Sequence, residues 1–242
     1  MSKTFLSWSS GKDAGFALLK LLQEGIRPDL LLTTVNADYQ RVSMHGLRVE
    51  LLEQQARSIG IELLKIPLSK NVSMESYNRI MRKTLSQLKD EGFTTGYFGD
   101  IFLEDLKQYR KEQMNKAGMK AEFPVWGYDT RTMALEILDY ELEPVVITVN
   151  AKYFDNTYVG RNFDRRFLCD LPSDVDWCGE NGEFHTFLHN APFFKFPVSF
   201  SLGEKTYREY KPCSKEDSRN FGNKSRSKAW DTGFWYVDLL PG

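Results

Sequence analysis

Cysteine is scarce in this sequence, and the cysteines present lie too far apart to form a recognisable site. The chain has three of them, Cys169, Cys178 and Cys213. An odd number at wide spacing fits neither a disulfide framework nor a zinc-binding pattern. We therefore expect reduced thiols and a cytoplasmic location. The alternative is that one of the three is a sulfur-carrying or nucleophilic cysteine.

The chain also lacks an excess of charge of either sign, and it lacks long apolar runs. It has 32 lysines and arginines against 33 aspartates and glutamates, a net charge of −1. No global field attracts nucleic acid or acidic membranes, so a nucleic-acid partner is not expected. No apolar run approaches the ~20 residues of a membrane span. The first apolar segment is too short for a signal peptide, and no membrane association is expected.

The chain does have enough apolar residues for a core and an alternation of strands and helices. Hydrophobic residues make up 41% of the 242 residues and aromatic residues 14%, enough for a main domain with a smaller lobe. The alternation predicts an α/β fold with a parallel sheet, and we expect domains at 1–150 and 151–242. The later part predicts a smaller α+β lobe that includes a hairpin turning at 203–204. The predicted strands are Thr4–Trp8, Asp29–Asn36, Ile61–Pro67, Thr94–Ile101 and Pro144–Asn150, with a short extended segment at Glu122–Gly127.

A loop of small residues follows the first predicted strand. Ser9, Ser10 and Gly11 allow backbone N–H groups to turn towards a ligand. Lys12 adds a point charge suited to a phosphate, and Asp13 lies where a helix begins. Because a helix N-terminus favours anions, this strand, loop and helix predict an anion site. The alternative is an ordinary corner with small residues.

The loop is not a Walker motif, since Gly-Lys is followed by Asp13 rather than by Ser or Thr. Ser-Ser-Gly-Lys-Asp-Ala instead resembles the Ser-Gly-Gly-x-Asp-Ser motif of the PP-loop ATP pyrophosphatases. Ser10 stands where that motif has glycine, and Ala14 stands where it has serine. The resemblance implies a Rossmann-like PP-loop domain of the HUP type, similar to the adenine nucleotide alpha hydrolases. It also implies cleavage of ATP between the α and β phosphates.

Further candidates lie at the carboxyl ends of other strands, where open α/β sheets bind ligands. Asn36 is a candidate nucleoside contact, and Gly99 allows a ligand to approach the backbone. Asp100 is a candidate magnesium ligand, with a helix N-cap for residues 102–117 as the alternative. His45 is a candidate for phosphate or substrate carboxylate, and Trp126 for a pocket wall. Capping or packing is the alternative for these last two.

A second dense polar stretch runs from Asp176 to Phe187. Gly179 allows tight backbone geometry, and a strand over 183–187 would put Glu183 and His185 on one face. Glu180 would fold over the same side. Two carboxylates beside an imidazole are suited to ordering a metal, holding an amine or relaying protons. A salt-bridged turn with a structural histidine is the alternative.

Taken together, these motifs resemble the diphthine–ammonia ligase family, also called the N-type ATP pyrophosphatases. The motifs are Ser9–Ala14, Met44-His-Gly46, Gly99-Asp100-Ile101, Pro124-Val-Trp126 and Gly179-Glu-x-Gly-Glu-Phe-His-Thr186. Family members join a carboxylate to ammonia with ATP and release AMP and pyrophosphate. The known carboxylate belongs to diphthine, a modified histidine of a translation elongation factor. This chain is similar to the single-domain members, whose substrate is not established.

The resemblance implies roles for the candidate residues. Ser9 to Gly11 with Lys12 would hold the phosphates of ATP, and Asp13 with Asp100 would bind magnesium. The catalytic residues would be Lys12, Asp13, Glu180, Glu183 and His185, and His185 or Glu183 would accept the proton lost by the amine. ATP binding would also use Asn36 and Gly99. The carboxylate, of a small molecule or a protein, and ammonia would meet His45, Trp126, Gly179, Glu180, Glu183, His185 and Thr186.

Two other functions stay open. One is a PP-loop enzyme of sulfur transfer or tRNA modification, which needs a reactive cysteine near the loop. Cys178 lies in the second motif, although the net charge argues against RNA. The other is a regulatory module that binds nucleotide without turnover, in keeping with Ala14. A homodimer is an open assembly state.

Overall fold

β1 (Lys3–Ser7) lies inside a parallel sheet, between β2 (Leu30–Asn36) and β5 (Phe93–Tyr97). This computed structural model describes residues 2–43, 46–70, 72–209 and 233–242. β2 also pairs in parallel with β4 (Glu62–Leu68) and, at its end, antiparallel with β3 (Arg41–Val42). β5 pairs in parallel with β6 (Lys120–Glu122). The strand order therefore reverses between β1 and β5, the position at which open α/β sheets bind ligands.

Helices cover both faces of this sheet, because its central strands bury side chains on each side. Leu6 of β1 belongs to the core cluster with α1 (Lys12–Gln23) and α2 (Val49–Ile59). Phe5, the preceding residue, packs in a second cluster with α3 (Met74–Asp90) and α4 (Glu104–Lys116). Gly60 ends α2 in a left-handed conformation, and the Ser73 side chain caps α3.

The second half of the chain forms a four-stranded antiparallel sheet in the order β8-β7-β10-β9. α5 (Thr130–Asp139) precedes it, and the short α6 (Arg165–Cys169) lies between two of its strands. The strands are β7 (Glu143–Asn150), β8 (Phe184–Asn190), β9 (Phe200–Glu209) and β10 (Gly233–Pro241). The predicted α/β fold with a parallel sheet and a second lobe is confirmed. None of the helices in the described ranges is long and apolar enough to cross a membrane.

Three sequence expectations differ from the structure. The predicted strand ending at Asn150 exists, but it pairs with β8 and β10 rather than continuing the parallel sheet. The expected turn at 203–204 is wrong, because β9 runs straight through it and pairs with β10. Of the extended segment expected at 122–127, only Glu122 is in a strand, as the last residue of β6, and residues 124–127 form a turn. The boundary at residue 150 stays a prediction.

An ion cluster ties the last strand to the edge of the parallel sheet. Asp238 of β10 accepts hydrogen bonds from Arg41 at 2.8 Å and from Arg48 at 2.6 Å. Burial would raise the pKa of Asp238, but its bonds to Arg48 and Arg41 lower the value to about 2. Arg41 also donates to the carbonyl of Gly46, so this cluster fixes both sides of the 41–48 segment.

Candidate active site

The segment between β1 and α1 forms a loop at the carboxyl edge of the parallel sheet. Gly11 is the N-cap of α1 and makes no side-chain cap hydrogen bond. The first turn of a helix has N–H groups without intrahelical partners, and the helix dipole there favours an anion. The carbonyl of Ser10 accepts hydrogen bonds from Gln55 Nε2 at 3.0 Å and from the Leu188 N–H at 2.9 Å. The loop is thus held from two sides, by α2 and by β8.

Ser10 adopts a backbone conformation that favours glycine. Its φ angle is 71°, and its fully buried hydroxyl has no hydrogen-bond partner among the described residues. A left-handed conformation costs about 1–2 kcal/mol in a residue with a β-carbon. The PP-loop motif has glycine at this position, and the loop keeps the glycine conformation although the residue is serine.

Lys12 is buried, and the partners of its ammonium group are protein atoms. Nζ donates to both carboxylate oxygens of Asp13, at 2.9 and 3.0 Å, and to the main-chain carbonyl of Cys178. Burial by itself would lower the pKa of Lys12, but the negative charges of Asp13 and Glu180 contribute to raising it above the ordinary value. The side chain therefore stays charged and links the loop to the turn at 176–182. Its direct contact with phosphate stays a prediction.

A second link joins the same loop to β8. The main-chain N–H of Lys12 donates to Thr186 Oγ1 at 3.1 Å. In the first turns of α1, a β-carbon on Gly15 would lie 2.3 Å from Leu188 Cδ2, so glycine is what lets β8 approach this closely. The two polar stretches of the sequence are therefore in direct contact. The hydroxyl oxygen of Thr186, a predicted substrate contact, accepts this hydrogen bond from the loop.

Asp176 organises the turn that carries Glu180. Its Oδ1 accepts from the N–H groups of Cys178 and Glu180 at 3.0 and 3.1 Å, and its Oδ2 accepts from Thr130 Oγ1 at 2.6 Å. Gly179 has a φ of 69°, and a β-carbon there would lie 2.9 Å from a main-chain oxygen of β8. Glycine at 179 thus closes the turn. Sequence reasoning assigned Asp176 no role, although an aspartate before a turn is a common cap of local N–H groups.

Glu180 lies where the two motifs meet. Its Oε1 accepts a hydrogen bond from the Ile101 N–H at 3.0 Å. Burial, together with the negative charges of Asp13 and Asp100, raises the pKa of Glu180 to about 7, although the Ile101 N–H and Lys12 oppose the shift. A carboxyl group with such a pKa exchanges its proton near neutral pH, which suits general acid–base work.

The strand predicted over 183–187 begins one residue later, at Phe184, so Glu183 lies in the turn before it and His185 lies within it. Glu183 is 2% exposed, and its Oε1 accepts from the Asp176 N–H and from Asn181 Nδ2, both at 3.1 Å. It precedes β8 and supports the turn. His185 lies within β8, and because side chains alternate along a strand, it faces away from the side on which Thr186 meets the loop. The predicted roles of Glu183 and His185 in catalysis and substrate binding stay predictions.

The end of β5 reaches the start of α1 through Gly99. A β-carbon there would lie 3.2 Å from the main-chain carbon and oxygen of Asp13. The next residue, Asp100, pairs with Arg110 of α4: Nη2 donates to Oδ1 at 3.2 Å, and Nε lies 2.6 Å from Oδ2. Asp100 is not the cap of α4, whose N-cap is Leu103. The N-cap alternative is therefore wrong.

The charges at this point suit a divalent cation. The described ranges contain no group of three or more histidine, cysteine or acidic side chains arranged to hold a metal. Magnesium, however, usually takes only one or two carboxylates besides water and phosphate oxygens. Asp13 and Asp100 both raise the pKa of Glu180, so three carboxyl groups lie within electrostatic reach of one another. Magnesium would relieve this repulsion, but Lys12 already contacts both oxygens of Asp13 and Arg110 both oxygens of Asp100, so magnesium binding by these two residues stays a prediction.

A cavity of about 230 Å³ opens beside the loop, on the face of the sheet covered by α3 and α4. Its polar groups come from Ser7, Ser9 and Ser43, from β2, from Tyr77 of α3 and from α4, and the rest of its lining is apolar. It is somewhat smaller than the ~300–1,000 Å³ of ligand pockets in general. Lining residues include Phe5, Ser9, Thr33, Thr34, Tyr77, Met81, Phe98, Tyr109, Arg110 and Gln113.

The other predicted contacts lie around this centre rather than in it. Asn36 Oδ1 accepts hydrogen bonds from two N–H groups of the following turn, both at 3.0 Å. Trp126 follows β6, and Lys107 Nζ lies 3.6 Å from its ring centroid. Neither residue lines the cavity. His45 falls outside the described residues. Contacts of Asn36, Gly99 and Ser9 with ATP, and of Trp126, His45 and Gly179 with substrate, stay predictions.

Cys178 does not have the surroundings of a reactive thiol. Its side chain is buried, and its Sγ donates to the carbonyl of Thr130 at 3.4 Å. Burial raises the pKa of Cys178 well above the ordinary value, which keeps the thiol protonated. Cys169 is exposed, and Cys213 lies outside the described residues.

Two family models match the chain. The diphthamide synthase N-terminal domain matches residues 2–121, and the diphthamide synthase C-terminal domain matches residues 129–216. The chain belongs to the diphthamide synthase family. No curated protein matches it. Membership confirms the resemblance to the diphthine–ammonia ligases and supports use of ATP through the PP-loop. The diphthamide synthase N-terminal match ends just before the turn at 123–127, and the C-terminal match begins at the N-cap of α5.

Proposed function

We propose that this chain is an ATP-dependent ligase that joins a carboxylate to ammonia through an acyl adenylate. The observation that carries the proposal is the double link between the phosphate loop and the second motif. Lys12 binds the carbonyl of Cys178 through its side chain and Thr186 through its main chain. An enzyme that activates a carboxylate with ATP and then transfers it to an amine needs both sites next to each other.

The first half-reaction would take place over the loop. A carboxylate oxygen of the substrate attacks the α phosphorus of ATP, the bond to the β phosphate breaks, and pyrophosphate leaves. The N–H of Lys12 is bonded to Thr186, so the other N–H groups of the first turn of α1 would bind phosphate oxygens. Magnesium held by Asp13 and Asp100 would offset negative charge on the phosphates. Lys12 holds Asp13 and the 176–182 turn in fixed positions relative to each other during this step.

The second half-reaction would use the turn. Ammonia attacks the acyl carbon, the nitrogen loses a proton, and the bond to AMP breaks to leave the amide. Glu180 is suited to accept that proton, because its pKa of about 7 leaves a large deprotonated fraction at neutral pH. The same carboxyl group faces Asp13 and Asp100 rather than bulk solvent. Glu183, which is nearly fully buried, acts as a positioning residue for the turn.

The substrate class follows from this chemistry: a carboxylate of a small molecule or a protein, with ammonia as the amine. Family membership makes a diphthine-like carboxylate on a protein the first candidate. The sulfur-transfer alternative is less favoured, since Cys178 is buried with a raised pKa. Measuring nucleotide conversion distinguishes the ligase from a regulatory module that binds nucleotide without turnover.

The test incubates the protein with ATP, magnesium, ammonium and candidate carboxylates, and separates the nucleotides by chromatography. AMP and pyrophosphate are expected, whereas ADP as the main product contradicts the proposal. With an ¹⁸O-labelled carboxylate, adenylation places one ¹⁸O in AMP. ATP bound but never converted, with every acceptor tried, favours the regulatory module.

A further inference from the structure

The phosphate loop does not direct a free side-chain cation towards a nucleotide. Lys12 is the lysine of the motif, yet it is 1% exposed and its Nζ has three hydrogen bonds to protein oxygens. Its ammonium also lies 5.1 Å from the centroid of the Phe184 ring. A triphosphate carries several negative charges, so a second cation near the loop is a reasonable expectation.

The inner face of α4 is unusually polar for a helix that covers a sheet. Met114 is the one residue of α4 that is fully buried. The cavity beneath the helix is lined instead by Tyr109, Arg110 and Gln113 beside it. A helix normally covers a sheet with an apolar stripe. The Tyr109 hydroxyl donates to Asn78 of α3 at 2.6 Å, which leaves Arg110 and Gln113 as the polar groups of α4 that line the cavity, and polar groups in such a place indicate a ligand that they recognise.

Arg110 is the charged residue of α4 that lines this cavity. Its guanidinium carbon is 4.7 Å from the centroid of the Phe98 ring, and the cavity that it lines also reaches Ser9 of the loop. The Asp100 pair fixes one edge of the guanidinium, with contacts to Nη2 and Nε. The arginine side chain is 26% exposed, so it is neither buried in the core nor free in solvent.

We propose that Arg110 is the side-chain cation that contacts the phosphates of the bound nucleotide. The inference rests on the proposed function and names the residue that recognises the charge of ATP from the α4 side. A guanidinium carries five N–H donors, and the Asp100 pair occupies one edge of it. The hydrogen bond to Asp100 Oδ1 uses Nη2, whereas Nε lies 2.6 Å from Oδ2 without hydrogen-bond geometry to a partner among the described residues. Asp100 thus orients Arg110, and the remaining donors serve phosphate oxygens.

The alternative is that the Arg110–Asp100 pair only holds α4 on the sheet. The two roles differ in which ligands they affect. A phosphate contact changes the affinity of phosphate-bearing ligands and leaves adenosine alone. A structural role changes the cavity, and therefore the affinity for adenosine, AMP and ATP together.

The experiment measures binding of adenosine, AMP and ATP by calorimetry, in the same magnesium buffer, for the wild type, Arg110→Gln, Arg110→Lys and Lys111→Gln. Lys111 is the exposed neighbour on α4, so Lys111→Gln removes one positive charge without touching the cavity. Thermal unfolding of each variant confirms that it is folded. Arg110→Gln is expected to weaken ATP binding about 10-fold or more, the scale of a lost charge-assisted hydrogen bond. Adenosine affinity should stay within about 2-fold, Arg110→Lys should recover part of the loss, and Lys111→Gln should bind as the wild type does.

Two results overturn the inference alone: wild-type ATP affinity in Arg110→Gln, or an equal loss for adenosine and ATP. If the wild type itself binds no ATP, the proposed function fails together with this inference. A loss of ATP affinity with unchanged adenosine affinity supports the inference, whether or not AMP affinity also falls. AMP and ATP carry phosphate, whereas adenosine does not.

Discussion

Lys12 donates a hydrogen bond to the main-chain carbonyl of Cys178, 166 residues further along the chain. This bond lies between the loop that sequence patterns assign to ATP and the turn that they assign to the second substrate. The ammonium also binds both carboxylate oxygens of Asp13. One buried lysine therefore neutralises the loop aspartate and fixes the position of the 176–182 turn.

Replacing Lys12 with methionine tests this linking role. Lys12→Met keeps most of the side-chain volume but removes the charge, and it leaves the Asp13 carboxylate and the Cys178 carbonyl without their partner. We expect the free energy of unfolding to fall by about 3 kcal/mol, the scale for breaking a buried ion pair from one side. Urea unfolding at pH 7 measures it. Lys111→Met, on the exposed face of α4, is the control and should change stability little. Unchanged stability in Lys12→Met would show that the contacts with Cys178 and Asp13 contribute nothing to the fold.

Replacing Ser10 with glycine should stabilise the protein. The left-handed φ of Ser10 and its buried, unpartnered hydroxyl both oppose folding, while glycine adds backbone entropy to the unfolded chain. We expect the free energy of unfolding to rise by about 1 kcal/mol in Ser10→Gly, as measured by thermal and urea unfolding. Ser9→Gly, at the neighbouring position without a positive φ, is the matched control and should not stabilise. Destabilisation by Ser10→Gly would mean that the hydroxyl has a partner that matters for the fold.

The raised pKa of Glu180 predicts a pH dependence of stability in the metal-free protein. Because the folded-state pKa, about 7, exceeds the ordinary value of 4.5, the contribution of this group is fully present below pH 4.5. It is lost as the pH rises through 7, since the folded protein must then hold a partly buried carboxylate beside Asp13. Glu180→Gln removes the titration, so the variant should be more stable than the wild type by about 2 kcal/mol at pH 8. The difference should shrink towards pH 4.5.

Unfolding free energies at several pH values, with EDTA present, check this prediction. Asp174→Asn, an exposed carboxyl in the same lobe, is the control and should show no such trend. A constant difference between Glu180→Gln and the wild type from pH 4.5 to 8 would argue that Glu180 is charged throughout. The same variant should form at least about 10²-fold less product than the wild type without weaker ATP binding, the usual size of a lost acid–base group.

Much of the fold follows from local sequence patterns. The strand, small-residue loop and helix at the start of the chain are signalled by apolar runs and by Gly11, and the structure has them there. The carboxyl ends of the strands were expected to share one edge, and Gly99 does pack against Asp13. Such features depend on neighbouring residues and on the rule that parallel strands end at one edge, so a sequence is enough to predict them.

The features that were missed depend on distant pairing or on the direction of single side chains. β7 has the apolar sequence of a buried strand in either sheet, and only its pairing with β8 and β10 decides between them. Arg110 is one of several charged residues on α4, and nothing in their spacing distinguishes the inward position. The strand predicted over 183–187 begins at Phe184 instead, and Glu183 lies in the turn before it, where its carboxylate accepts from the N–H of Asp176.

The position of β10 in the second sheet has a consequence for how the protein is made. β10 lies between β7 and β9, so the sheet that supports β8 lacks an inner strand until residues 233–241 leave the ribosome. The strands and helices of the parallel sheet are synthesised well before that, and domains generally fold in order of synthesis. A nascent chain would therefore hold the phosphate loop from the α2 side alone, without the stable strand that supplies Thr186 and Leu188 to it. The site would be assembled only as translation of these residues ends, which separates the folding of the ATP-binding half from the acquisition of activity.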